Sequence, residues 1–253
     1  MSTTPDEASE RRARAAASRR APGHPGDDED LHQTRLQRLL MGVGSVALLG
    51  AMVAAAVIYS GGGGTVGQHT PPAQVTATAR GVAIGKSSAP VHVVVYEEFG
   101  SAASVRFEMG SRDYLRTDAG AGRVYVEYRP VASTGGSASR ALNAFAVVLH
   151  SAGPKAAWRF HDLLFQQQAT SPGAVPTAAQ LVTLAVRAGA TRADVGGPIS
   201  SGQQQAWAER ATTAASKAGV QQLPDVLVDG KPLRGPVGEV LDRLETTIAR
   251  QGR

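Results

Sequence analysis

The sequence contains no cysteine. That absence removes disulfides, thiolate-held metals, iron–sulfur clusters and any thiol nucleophile. It leaves the compartment open, because a protein without thiols is indifferent to redox poise. A basic stripe is missing too. Lys and Arg number 26 against 21 Asp and Glu, and the excess of +5 is spread thinly over the residues after 38. Nucleic acid needs a denser cationic face, so no nucleic-acid partner is expected. The 6 histidines are scattered without paired ligand spacing, which gives a metal site no support. Gly85-Lys86-Ser87 ends like a phosphate-binding loop, but the glycine due five residues earlier is Arg80, and a strand pattern follows where a helix is needed. No internal repeat is visible, and no cofactor is expected.

What is present divides by composition. The 253 residues, 42% hydrophobic and 19% charged, suit one ordinary domain with accessories or two small ones. Residues 1–38 are rich in Ala, Arg, Ser, Pro and acids and read as a disordered tail with too little apolar surface to offset chain ordering. Leu39 to Ser60 carries no charge, and a helix of that length spans about 33 Å, enough for a bilayer core. Arg35 and Arg38 abut its start, and no charge follows until Arg80. The positive-inside rule then places the tail in the cytoplasm and the rest outside. A cleaved signal peptide ending at Ala54 to Ala56 fits less well, since the preceding segment is long and these residues lie inside the apolar run. Residues 61–74, with Gly61 to Gly64, Pro71 and Pro72, read as a flexible linker. A single domain is expected over 75–253.

Within that domain strands and helices alternate. Val91 to Tyr96 (VHVVVY) has the pattern of a strand buried on both faces. A helix is expected from about Ser101 to Leu115, capped by Ser101 or Ser104, with Phe107 and Leu115 inward. Arg123 to Tyr128 alternates Val124, Val126 and Tyr128 and ends at Pro130. Strand, helix and strand in that order imply a parallel, right-handed crossover. A helical block follows over about 138–217, with Ala141, Leu142, Phe145, Val148 and Leu149 at helical spacing. Val226 to Val228, Asp229-Gly230 and Lys231 to Leu233 read as a hairpin. A closing helix from about Gly238 carries Val240, Leu241, Leu244 and Ile248 as its apolar stripe.

This order, and three stretches of sequence, resemble the DsbA-like thiol–disulfide oxidoreductases. SSAPVHVVVYEEFGSAASVRFE (Ser87 to Glu108) is similar to their first strand and active-site helix. WRFHDLLFQQQ (Trp158 to Gln168) is similar to a helix of their inserted domain, and AGVQQLPDVLVDGKPLRG (Ala218 to Gly235) to their cis-proline loop and hairpin. The resemblance spans about 82–250 and implies an α/β thioredoxin-like fold with an inserted helical domain, here preceded by one transmembrane helix.

The chain departs from the family where its chemistry lies. Aligned on Phe99, the C-P-x-C motif falls on Ser101, Ala102, Ala103 and Ser104. Thiol exchange needs a thiolate attacking a disulfide sulfur, and serine supplies none. Catalysis by Ser101 would need a base within hydrogen-bond reach, and His92, His150 and His161 have no spacing that points to it. These serines are expected to cap the helix. The resemblance also implies a cis bond at Leu223-Pro224, with Leu223 offering backbone bonds to an extended peptide, although Asp225 stands where a small or hydroxyl residue is usual. Glu97 and Glu98 read as a solvated strand end. The expected function is therefore a non-catalytic peptide- or protein-binding module, with Ala102, Leu223 and Pro224 as candidate contacts. It would be a single-pass protein of a bacterial plasma membrane, its partner an extended peptide or envelope protein. A non-redox enzyme using Ser101 and a purely structural membrane protein are the alternatives.

Overall fold

A computed structural model describes residues 74–252. The expected tail, membrane helix and linker therefore lie outside the described residues. Strand β1 (Val75–Thr78) and β2 (Gly81–Ile84) form a hairpin, followed by β3 (Val91–Glu97), α1 (Ala102–Gly120) and β4 (Val124–Pro130). Four helices come next: α2 (Gly136–Thr170), α3 (Ala178–Ala188), α4 (Arg192–Ser201) and α5 (Gln205–Lys217). Strands β5 (Asp225–Val228) and β6 (Lys231–Leu233) and helix α6 (Val237–Gln251) complete the order. The sheet runs β1-β2-β4-β3-β5-β6. Only β3 and β4 pair in parallel, as a crossover through α1 requires; every other pair is antiparallel.

Register explains the core. Val93 sits beside Val126 and Val228, and Val95 beside Tyr128 and Val226. All of these face the larger core, with Phe107 and Leu115 of α1 and Val240, Leu244 and Ile248 of α6. Helix α1 packs on α6 and α2, and Gly110 lets it come close: a Cβ there would lie 2.7 Å from Leu241 Cδ1. The opposite face is covered only toward the end of β3, where Ala215, Val220 and Leu223 pack with Tyr96, Val94 and Val131. Strand β3 is thus not buried on both faces throughout. His92 is exposed, its backbone tied to Asp229 Oδ1 at 2.9 Å.

Several elements differ from the sequence expectation. The β1–β2 hairpin is absent from the sequence expectation, because strands this short with Thr and Ala carry little periodic signal. Helix α1 continues past Leu115 to Gly120. Helix α4 forms despite Gly196, Gly197 and Pro198: Thr191 Oγ1 accepts from Asp194 N, and Val195 and Ile199, one turn apart, are buried. Helix α2 breaks at Gly153 (φ 81°), which precedes Pro154, so it is two helices end to end. The Asp229-Gly230 turn has both φ values positive, 49° and 76°, as a tight primed turn demands. Among the described residues no helix is long and apolar enough to cross a membrane.

Candidate functional site: the start of helix α1 and the charged core beside it

The four residues aligned with the lost motif open α1. Ser101 is the N-cap: its φ/ψ of −79°/120° is extended, and its Oγ accepts from Ser104 N at 3.3 Å. Ser104 is fully buried, and its Oγ accepts from Glu98 N at 3.3 Å. Ala102 is exposed and Ala103 half-buried. Both hydroxyls are therefore spent on backbone, and no histidine bonds to Ser101 among the described residues. Activation of a serine by histidine needs that bond, and the geometry at Ser101 is that of a helix cap.

The Leu223–Pro224 peptide bond is cis. Leu223 shares a cavity of about 680 Å³ with Ser101, Gly100, Val131, Thr212, Ser216, Gln221 and Gln222. Ala102 and Pro224 are not among its lining residues, so of the three candidate contacts Leu223 alone reaches the cavity wall. The backbone of Gln221, Gln222 and Leu223 makes no hydrogen bond among the described residues, although Gln221 and Gln222 are exposed. Asp225 explains its unusual place after the proline. It pairs with Tyr96 across the sheet, while its carboxylate accepts from Arg234 Nη1 at 2.7 Å. Burial raises its pKa and Arg234 opposes the rise.

Glu98 forms the opposite wall. Its exposure is 3%, contrary to the expected solvated strand end. Oε2 accepts from Ser133 N and Oγ, each at 2.6 Å, and from Thr134 N at 3.2 Å; Oε1 accepts from Thr134 Oγ1 at 2.5 Å. One carboxylate so holds the loop between β4 and α2 against the start of α1. A smaller notch of about 80 Å³ adjoins, sharing Gly100, Ser137 and Ala138 and floored by Phe99 and Leu164.

Glu97 is also buried, on the core side, at 0% exposure. His161 Nε2, on α2, lies 2.5 Å from its Oε1. Glu108 of α1 joins them, with one donor atom from each of the three within 4.8 Å of the others. Around this trio Arg112 approaches Asp162 at 3.3 Å, Arg116 bonds Asp162, and the Arg116 guanidinium lies 5.1 Å from the Trp158 ring centroid. Burial pushes Glu97 well above the ordinary carboxylate range. It lifts Glu108 to about 8, helped by the Glu97 charge, and lowers His161 to about 4. Two guanidiniums face Asp162, which balances one of them. Burial thus favours the neutral form of Glu97, Glu108 and His161 alike, beside the second guanidinium. Sequence spacing hides this cluster because its members come from β3, α1 and α2. The paired Glu97-Glu98 was the visible signal, and its charge suggested solvent.

A family model described as thioredoxin matches residues 77–248, more than half of the chain, and the chain belongs to that family. Its fold is that of the DsbA-like members. It is 18% identical to the MdbA protein of Corynebacterium diphtheriae, a thiol-disulfide oxidoreductase, with a TM-score of 0.58 over 70% of this chain and 96% of that one. BdbD of Bacillus subtilis is 20% identical, with a TM-score of 0.57 over 67% and 91% of the two chains. DsbA of Mycobacterium tuberculosis in its oxidised form is 25% identical, with a TM-score of 0.54 over 70% and 91%. No curated protein matches the chain in sequence. The chain is thus a degenerate DsbA-like protein: it keeps the fold and, having no cysteine, has no thiol with which to exchange disulfides.

Proposed function

We propose that this chain is a membrane-anchored, extracytoplasmic binding protein that uses a DsbA-like groove to hold an extended segment of another protein without reacting with it. The observation that carries this reading is the cavity shared by Ser101 and Leu223, edged by the unpaired backbone of Gln221 to Leu223. Free N–H and C=O groups beside a concavity suit strand addition: the backbone supplies affinity and the cavity selects side chains. No thiol is needed for that. The apolar run 39–60 supplies the anchor and its charge flanks the orientation. A bacterial plasma membrane is the location this reading takes.

The test uses the full chain in lipid nanodiscs, panned against a displayed library of unstructured peptides. The wild type should enrich a related set of sequences, and Leu223→Arg should lose them. Ala102→Trp, at the exposed first turn of α1, should weaken them by crowding the rim. Enriched peptides that bind both variants as well as the wild type would sink the reading and leave the domain as a structural element.

A further inference from the structure

We propose that Glu97, Glu108 and His161 form an interior site for one divalent transition-metal ion of the zinc class. Two independent observations converge on it. The first is geometric: a strand and two helices bring three metal-binding donors within 4.8 Å of one another. A tetrahedral ion with bonds of about 2.0–2.2 Å spaces its ligands by roughly 3.5 Å, a difference that side-chain rotation covers. The second is unmet hydrogen bonding. Both Glu108 oxygens and Glu97 Oε2 are buried with no hydrogen-bond partner outside the trio, in residues of 0% exposure. Buried polar atoms without partners are uncommon and costly. A cation between the two carboxylates satisfies the oxygens together, and imidazole is a common third ligand.

The donor set selects the ion. Two carboxylates and one imidazole, with no sulfur, suit zinc and its neighbours. A four-coordinate ion needs one ligand beyond the trio, a second carboxylate oxygen or a single water. Calcium takes six to eight oxygens and magnesium keeps several waters, far more than three side chains supply. Two carboxylates neutralise a divalent charge. The groups facing this site are the Arg112 and Arg116 guanidiniums, the Asp162 carboxylate and the Tyr128 hydroxyl. They carry one surplus positive charge, so Arg112 competes with the ion. The ion takes the place of the protons on the two carboxyls, which leave for solvent, while His161 binds through Nε2 and keeps its proton on Nδ1. Because the trio has no exposure, loading accompanies folding.

The test grows the tag-free full chain in medium supplemented with Co2+ or with Zn2+ and purifies it in detergent. The expected result is about one ion per chain by mass spectrometry, with the visible d–d absorption of tetrahedral Co2+ and its loss when Zn2+ replaces Co2+ during growth. Glu108→Gln should abolish retention, and Arg112→Met should slow its removal by chelator. A metal-free wild type, or retention unchanged in both Glu108→Gln and Glu97→Gln, would overturn the proposal. Should those variants fail to fold, X-ray absorption on the wild type decides. One imidazole nitrogen among oxygens at zinc-like distances supports the site; no metal edge, or a shell without imidazole, refutes it.

Discussion

The groove and the interior beside it hold their polar groups in opposite ways. At the groove, hydroxyls and amides face a cavity of about 680 Å³ and the one carboxylate, Glu98, is saturated by four hydrogen bonds. One residue back along β3, Glu97 joins Glu108, His161, Asp162, Arg112 and Arg116, where partners are few and solvent is excluded. Perturbed acids usually mark a reaction site. Here they are buried in the interior, while among the residues that line the groove Glu98 is the one ionisable side chain and its oxygens are already bonded. A concentration of titratable residues therefore shows where protons are held, and the groove shows where a ligand can sit.

The strongest way to break this contrast is Asp162→Ala. It leaves the Arg112 and Arg116 guanidiniums buried without their shared carboxylate and should cost about 3–5 kcal/mol in denaturant unfolding. A loss below about 1 kcal/mol would mean that water reaches these guanidiniums. Next is pH, in chelator-treated protein. Glu108 is raised to about 8, so its contribution falls as pH rises from its ordinary 4.5 to about 8. His161 is lowered to about 4, so its contribution is lost as pH falls from 6.5 toward 4. Above 6.5 His161 is neutral in both states and only the glutamates act. Stability should then fall from roughly pH 6.5 to 8, by up to about 1.4 kcal/mol per unit per group, and Glu108→Gln should flatten the slope in thermal unfolding.

Glu98→Ala sharpens the comparison from the groove side. It removes the acceptor for Ser133 and Thr134, which are exposed and can turn to water. The loss should be about 1–2 kcal/mol, together with weaker peptide binding as that wall loosens. A pure binding defect with no loss of stability would place Glu98 in ligand contact instead. The smallest effect belongs to Ser101→Ala, about 1 kcal/mol for a lost cap. Ser101→Gly should cost only a few tenths, and a serine hydrolase probe should label neither variant nor the wild type.

Local pattern made much of the fold legible. Alternation in Val124 to Tyr128, the Asp229-Gly230 turn and the Val240, Leu244, Ile248 stripe each report their own element. The β1–β2 hairpin escaped because four-residue strands hold too few alternations to count. Helix α4 escaped because its stabilising contacts, a cap and two buried side chains, are outweighed in sequence by Gly196, Gly197 and Pro198. At the site, Ser101 and Leu223 were legible through resemblance. The burial of Glu97 was not: its partner His161 lies 64 positions away, and only tertiary contact decides whether an acidic strand end meets water or another chain segment. Gln221 and Gln222 gave no signal, since an unpaired backbone is a property of the folded loop.

The most direct test of retained binding without chemistry is photo-crosslinking of the full chain in its native membrane, with the probe at Gln222 on the cavity wall and a control probe at exposed Arg250 of α6. A discrete adduct at Gln222, absent at Arg250 and suppressed by Leu223→Arg, is the predicted result and would identify the bound segment. No adduct at Gln222, or the same adducts from both positions, would contradict the account.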